Sequence, residues 1–163
     1  MPDHRLVTVR PALAEDGPRI LSMMGSLAAF EGYADDFAVT LEALEQRLFI
    51  QRDFSVLVAD VNGSAVGMLV YYSLPFSYDL TPWLYMKELF VEPHLRNLGV
   101  GKKLLASLAR ECQNAGGRKI RWDVLASNEP AARFYKAQGA VDNEHWRLFS
   151  LDAAAIANLA NSS

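Results

Sequence analysis

Residues 96–103 read RNLGVGKK, and the leucine-rich run LLASLAREC follows at once. Two glycines and two lysines make an odd helix start, because the positive end of a helix dipole disfavours Lys102 and Lys103. An anion at that point reverses the sign: the unpaired backbone N–H groups and the basic side chains can then share one phosphate-bearing ligand. The run is not a Walker loop, since Arg96 stands where the first glycine is required and Lys103 where Ser or Thr should follow. It is not a dinucleotide fingerprint either, because Leu104 occupies the third glycine position. Val100, Leu104, Leu108 and Cys112 form one apolar stripe, which packs the helix and turns its start outward. On these grounds alone an ordinary glycine-rich turn competes evenly with an anion cradle.

Three further groups carry chemistry. Tyr135 lies in SNEPAARFYKAQGA (residues 127–140), and its phenol, with a reference pKa of about 10, is a proton donor at neutral pH. Asn128 suits a helix cap there, with Pro130 tolerated in the first turn. Lys87 and Glu88 sit on an apolar strand, where plain alternation sends them to opposite faces and only a bulge lets both approach one site. Glu31, Asp35 and Asp36 make an acidic loop. His4, His94 and His145 are far apart with Cys112 remote from all three, so no metal site is expected.

These groups need a scaffold, and its elements are legible. RLVTVRPA is an opening strand ended by Pro11, and Ile20, Leu21, Met24, Leu27 and Ala28 recur at helical spacing over 14–30. Thr40 caps a helix through Phe49. FSVLVAD and AVGMLVYYS flank Asn62-Gly63, a hairpin signal. WLYMKELFVE is a strand, a helix starts near Gly99, and Gly116-Gly117 ends it. RKIRWDVL, NEPAARFYKAQG, HWRLFSL and DAAAIANLA read as strand, helix, strand and terminal helix. Strands and helices mix throughout 163 residues, so the expected fold is a single α/β (α+β mixed) domain over 1–163 with a mixed sheet. A formal charge of -3 argues against nucleic-acid binding. A lone cysteine, no signal-peptide core and no apolar run long enough for a bilayer together lead us to expect a soluble cytoplasmic protein, with no membrane partner.

LFVEPHLRNLGVGKKLL resembles motif A of the GCN5-related N-acetyltransferases (GNAT), and SNEPAARFYKAQGA resembles that family's second signature, in the right order and at a suitable distance. Within the family, LAAFE, YYSLPFSYDLTPWLYMKELFV and WRLF are similar to runs of the diamine branch, which acts on spermidine, spermine or thialysine. The resemblance implies a central, mostly antiparallel mixed sheet flanked by helices, with acetyl-CoA as co-substrate. It places the pyrophosphate on the backbone of Arg96, Asn97, Leu98, Gly99, Val100, Gly101 and Lys102, and the acetyl-pantetheine arm along Leu89, Phe90 and Val91. Asn128 and Tyr135 join the coenzyme contacts, with Tyr135 protonating the departing thiolate. Phe30, Glu31, Lys87, Glu88 and Glu144 fall at acceptor-site positions, and branch members are usually homodimers.

One departure matters. The diamine branch carries Glu followed by Asp on the fourth strand, and this chain carries Lys87 and Glu88. An alkylamine near pKa 10.4 is almost wholly protonated at pH 7, so some group must take its proton; Glu88, Glu31 or a held water are the candidates. Lys87 repels a simple polyamine and suits a carboxylate. A substrate with both groups, a lysine-like or other diamino acid, reconciles Lys87 with the acidic residues. The expected activity is direct acetyl transfer to a primary amine of a small molecule. The alternatives are a protein or peptide acetyltransferase and a non-catalytic acyl-CoA sensor.

Overall fold

Asn62 and Gly63 both take positive φ, 53° and 83°, the turn geometry that matches the twist of two antiparallel strands. They join β2 (Ser55–Val61) to β3 (Ser64–Leu74). β1 (Val7–Pro11) lies against β2 and β4 (Trp83–Val91) against β3, each antiparallel. β5 (Lys119–Arg121) runs parallel to β4, which closes the order β1-β2-β3-β4-β5. This is the mixed, mostly antiparallel sheet flanked by helices that was expected. The computed structural model describes residues 6–162; His4 lies outside them. The chain forms two compact units, Met1–Leu125 and Ala126–Ser163.

In the first unit, α1 (Gly17–Glu31) begins with proline in its first turn and stops at Gly32, whose φ of 87° only glycine adopts at no steric cost. Arg10 grips Asp16 through two hydrogen bonds of 2.7 and 3.0 Å and reaches Asp60 at 3.0 Å, fixing the entry to α1. Thr40 caps α2 (Leu41–Glu45) by accepting from the Ala43 N–H at 3.1 Å. The single helix expected through Phe49 changes pitch after Glu45: residues Gln46–Ile50 form a wider turn, closed by Gln51 N–H donating to the Gln46 carbonyl at 2.9 Å.

The sheet is covered on both faces. Ile20, Met23, Met24, Leu27, Leu44 and Leu48 from α1 and its successors pack with Val56, Val58, Met68, Val70 and Phe90. α3 (Val100–Asn114) packs on the sheet, and Val100, Leu104, Leu108 and Cys112 are all buried, as the stripe predicted. Truncating Leu104 or Leu108 to alanine typically costs about 2–5 kcal/mol at such sites.

In the second unit, Asn128 caps α4 (Glu129–Ala137) and Asp152 caps α5 (Ala153–Ala160). Two strand expectations need correction. RKIRWDVL yields only the three residues of β5, and no strand forms over 145–151. Alternating apolar residues make a segment fit for a sheet, but a strand exists only where a ladder satisfies its backbone groups. In that stretch Trp146, Leu148 and Phe149 are 74%, 81% and 86% exposed.

Candidate active site

The site begins with an irregularity in β4. Val70 opposes Glu88 and Tyr71 opposes Met86, so Lys87 is an extra residue without a partner on β3. That bulge shifts the phase of the strand. Continued alternation from Leu84 and Met86 would carry Glu88 and Phe90 onto the α3 face. Instead Glu88 lies beside Val70, and Phe90 opposite Met68 joins the core under α1. Lys87 and Glu88 thereby reach one side of the sheet, as their joint use of a site requires.

Glu88 is half-buried, and its buried Oε2 has no hydrogen-bond partner among the described residues. Burial raises its pKa; Lys87 opposes the shift and Glu31 adds to it. Glu31 closes α1 and is exposed as a residue. Desolvation by the protein beside it still raises its carboxyl pKa, with Lys87 opposing. Tyr33, just past Gly32, completes the group: burial raises its phenol, and the charges of Glu88 and Glu31 raise it further. Lys87 itself is exposed and makes no hydrogen bond or ion pair with the described residues within 4 Å. Two carboxylates and one ammonium leave the cluster one net negative charge, the complement of a single substrate ammonium. A carboxylate held basic in a desolvated niche is a suitable proton acceptor near neutral pH.

The glycine-rich turn follows β4. Arg96 donates from Nε to the Val91 carbonyl at 3.0 Å and lies 5.8 Å over the Phe90 ring, so it braces the loop against the strand. Asn97 and Gly99 take φ of 63° and 82°, and Gly99 caps α3 without a side-chain hydrogen bond. Lys103 N–H bonds the Gly99 carbonyl at 3.1 Å, which leaves the N–H groups of Val100, Gly101 and Lys102 without intrahelical acceptors. A Cβ on Gly99 meets nothing within 4 Å, so the approach to those amides is open. These features fit a pyrophosphate. The two lysines divide: Lys103 sends its ammonium to the Val7 carbonyl at 3.2 Å, and Lys102 stays exposed at the helix start. Val100 and Phe90 have buried side chains, so only their backbones can touch a ligand. β5 pairs with β4 only up to Tyr85–Arg121, and beyond it Leu89 to Val91 have no β5 partner.

Phe30 is exposed on α1. Asn128, Tyr135 and Glu144 belong to the second unit. There Asn128 accepts from the Ala131 N–H at 3.3 Å, Tyr135 stacks obliquely on Phe134 with centroids 5.4 Å apart, and Glu144 is exposed. Tyr33 and a Tyr85–Asp123 hydrogen bond escaped the sequence reading. Gly32, as a helix stop, was the one available signal for Tyr33.

Residues 25–140 match the model of the acetyltransferase (GNAT) family. The chain is 31% identical to the thialysine N-epsilon-acetyltransferase of Bos taurus, over 94% of this chain and 97% of that one. It is 28% identical to spermidine/spermine N(1)-acetyltransferase-like protein 1 of Homo sapiens, over 93% of this chain and 23% of that one. Its fold is similar to that of an aminoglycoside N-acetyltransferase, AAC(6′)-Iy, solved with CoA, at a TM-score of 0.74 and 19% identity over 90% and 95% of the two chains.

Proposed function

This chain belongs to the GNAT acetyltransferase family, whose members take their acetyl group from acetyl-CoA, and on that premise we propose that it acetylates the side-chain amine of a small diamino acid. The observation that carries the reading is Glu88: a half-buried carboxylate with a raised pKa, one of whose oxygens has no hydrogen-bond partner among the described residues, set by a bulge beside the exposed Lys87. When bound, the coenzyme supplies an activated thioester carbonyl. Glu88 takes the proton of the attacking amine, directly or through a held water. The new C–N bond replaces the C–S bond without an acyl-enzyme, and Tyr135 returns a proton to the departing sulfur. Glu31 and Tyr33 position the ammonium, Phe30 borders the acceptor site, and Lys87 faces the substrate's carboxylate. The backbone from Arg96 to Lys102 holds the pyrophosphate and Leu89 to Val91 flank the arm; the family resemblance adds Asn128 to the coenzyme contacts and Glu144 to the acceptor contacts.

The names of the relatives, one acting on thialysine and one likened to polyamine enzymes, support a small amine acceptor. The family match runs through both units, which supports one acetyltransferase domain over 1–163. The exposed Trp146, Leu148 and Phe149 support a homodimer. The free, buried Cys112 suits a reducing, cytoplasmic setting, and among the described residues no helix is long and apolar enough to cross a membrane.

Coenzyme A release from acetyl-CoA over an amine panel tests this reading. Lysine, thialysine, ornithine and diaminobutyrate should turn over well above spermidine, putrescine and a no-amine blank. Polyamines as best substrates would overturn the role of Lys87. Turnover of a lysine peptide alone would replace the small-molecule reading.

A further inference from the structure

The β4–β5 ladder is only three residue pairs long, from Trp83–Lys119 to Tyr85–Arg121. Side chains clamp it. Lys119 Nζ and Arg121 lie 4.5 and 4.9 Å from the centroid of Trp83, and Tyr78 meets the same ring edge-on at 5.9 Å. The last clamp stands at the end of the pairing: the Tyr85 hydroxyl donates to Asp123 Oδ2, two residues past the final paired residue. That bond ties the last paired residue of β4 to the segment that follows β5, where the ladder has ended. Immediately beyond it β4 carries the Lys87 bulge and Glu88.

We infer that Tyr85 and Asp123 are a positioning pair, whose hydrogen bond fixes where β4 and β5 part and so holds Lys87, Glu88 and the free β4 backbone in register for the reaction. This rests on the acetyltransferase reading above. The phenol is well suited to a lasting donor role, since burial and the Asp123 contact push its pKa up to about 12. Neither residue touches the reacting atoms; the pair acts through the strand. Loosening it lets the split creep toward Trp83 and moves the β4 amides relative to Glu88.

The test is a double-mutant cycle of Tyr85→Phe and Asp123→Ala, with Asp123→Asn as the conservative variant. Each single change should lower kcat/KM for acetyl-CoA about tenfold, short of the hundredfold that a 1 Å misplacement can bring. The double variant should be no worse than either single one, and Asp123→Asn, which keeps an acceptor, should stay within about twofold of the parent. Hydrogen exchange of free protein, read on peptides covering 86–91, should quicken in the two disruptive variants. Unchanged kinetics, or losses that add independently, would overturn the inference. Failure of the parent to use acetyl-CoA at all would instead overturn the acetyltransferase reading, while the exchange measurement would still judge the pair: faster exchange supports it and unchanged exchange refutes it.

Discussion

Glu88 pays for its position in stability, and the sign of that cost is testable. Its pKa is raised in the folded protein above the value of about 4.3 expected when unfolded. The folded state therefore holds the proton more tightly. Glu88 contributes most to stability below the unfolded pKa, and that contribution is lost as pH rises through the folded one. At pH 7 the protein carries a desolvated carboxylate, and Glu88→Gln removes it. The variant should melt about 2–4 °C higher at pH 7, the change expected from about 1 kcal/mol in a chain of this size. The gap should close as pH falls toward 4, and calorimetry across that range checks it. A variant that melts lower at every pH would mean that Glu88 is paired rather than bare. Lys87 has a separate signature. Lys87→Gln should shift the ratio of kcat/KM values from diamino acids toward polyamines by about tenfold, or roughly 1.4 kcal/mol. Steady-state assays with ornithine and spermidine measure it. A bulge was expected from the need to bring Lys87 and Glu88 to one site, but its position was not legible, and Gly32 was the only hint of Tyr33. Both faces of β4 are covered, so apolar residues occur at both parities and the phase slip at Lys87 leaves no mark in the pattern WLYMKELFV.

At the scale of elements, local chemistry was the most readable layer. The Asn62-Gly63 turn, the Thr40 and Asn128 caps and the α3 stripe follow from residue type and spacing within one turn of chain. The errors fell where a tertiary partner decides. HWRLFSL has the alternation of a strand and forms none, and RKIRWDVL pairs for three residues before β5 leaves β4. Asp123 meets Tyr85 across the end of the β4–β5 ladder, a tertiary contact with no sequence signature. The start of α3 offers an element-scale prediction. Gly99 has φ of 82° with open space around its Cα, so Gly99→Ala costs backbone strain alone, about 1–2 kcal/mol. The variant should lose a few degrees of melting temperature and bind CoA more weakly, because the Val100, Gly101 and Lys102 amides are re-aimed. Titration calorimetry with CoA gives the second readout; unchanged affinity would remove the glycine turn from the coenzyme site.

For the whole molecule, the fold class and the order of the principal elements could be read early, because the hairpin, the α3 helix and the two signature runs are strong signals in sequence. The acceptor's identity could not, because it depends on how charges from α1, β4 and the loop after Gly32 converge. The exposed apolar set of the second unit predicts association. Light scattering should give the mass of two chains, and Phe149→Glu should shift it toward one. A monomeric parent would leave those side chains without the partner proposed for them. The central claim is that Glu88 is the base for direct transfer from acetyl-CoA to a diamino acid. Its most direct test is the pH dependence of kcat/KM for the amine, in wild type and Glu88→Gln. Wild type should lose activity in acid through one group titrating above the ordinary glutamate range. The variant should lack that limb and run about 100- to 10,000-fold slower. A Glu88→Gln enzyme with wild-type rate and an unchanged acid limb would contradict the account.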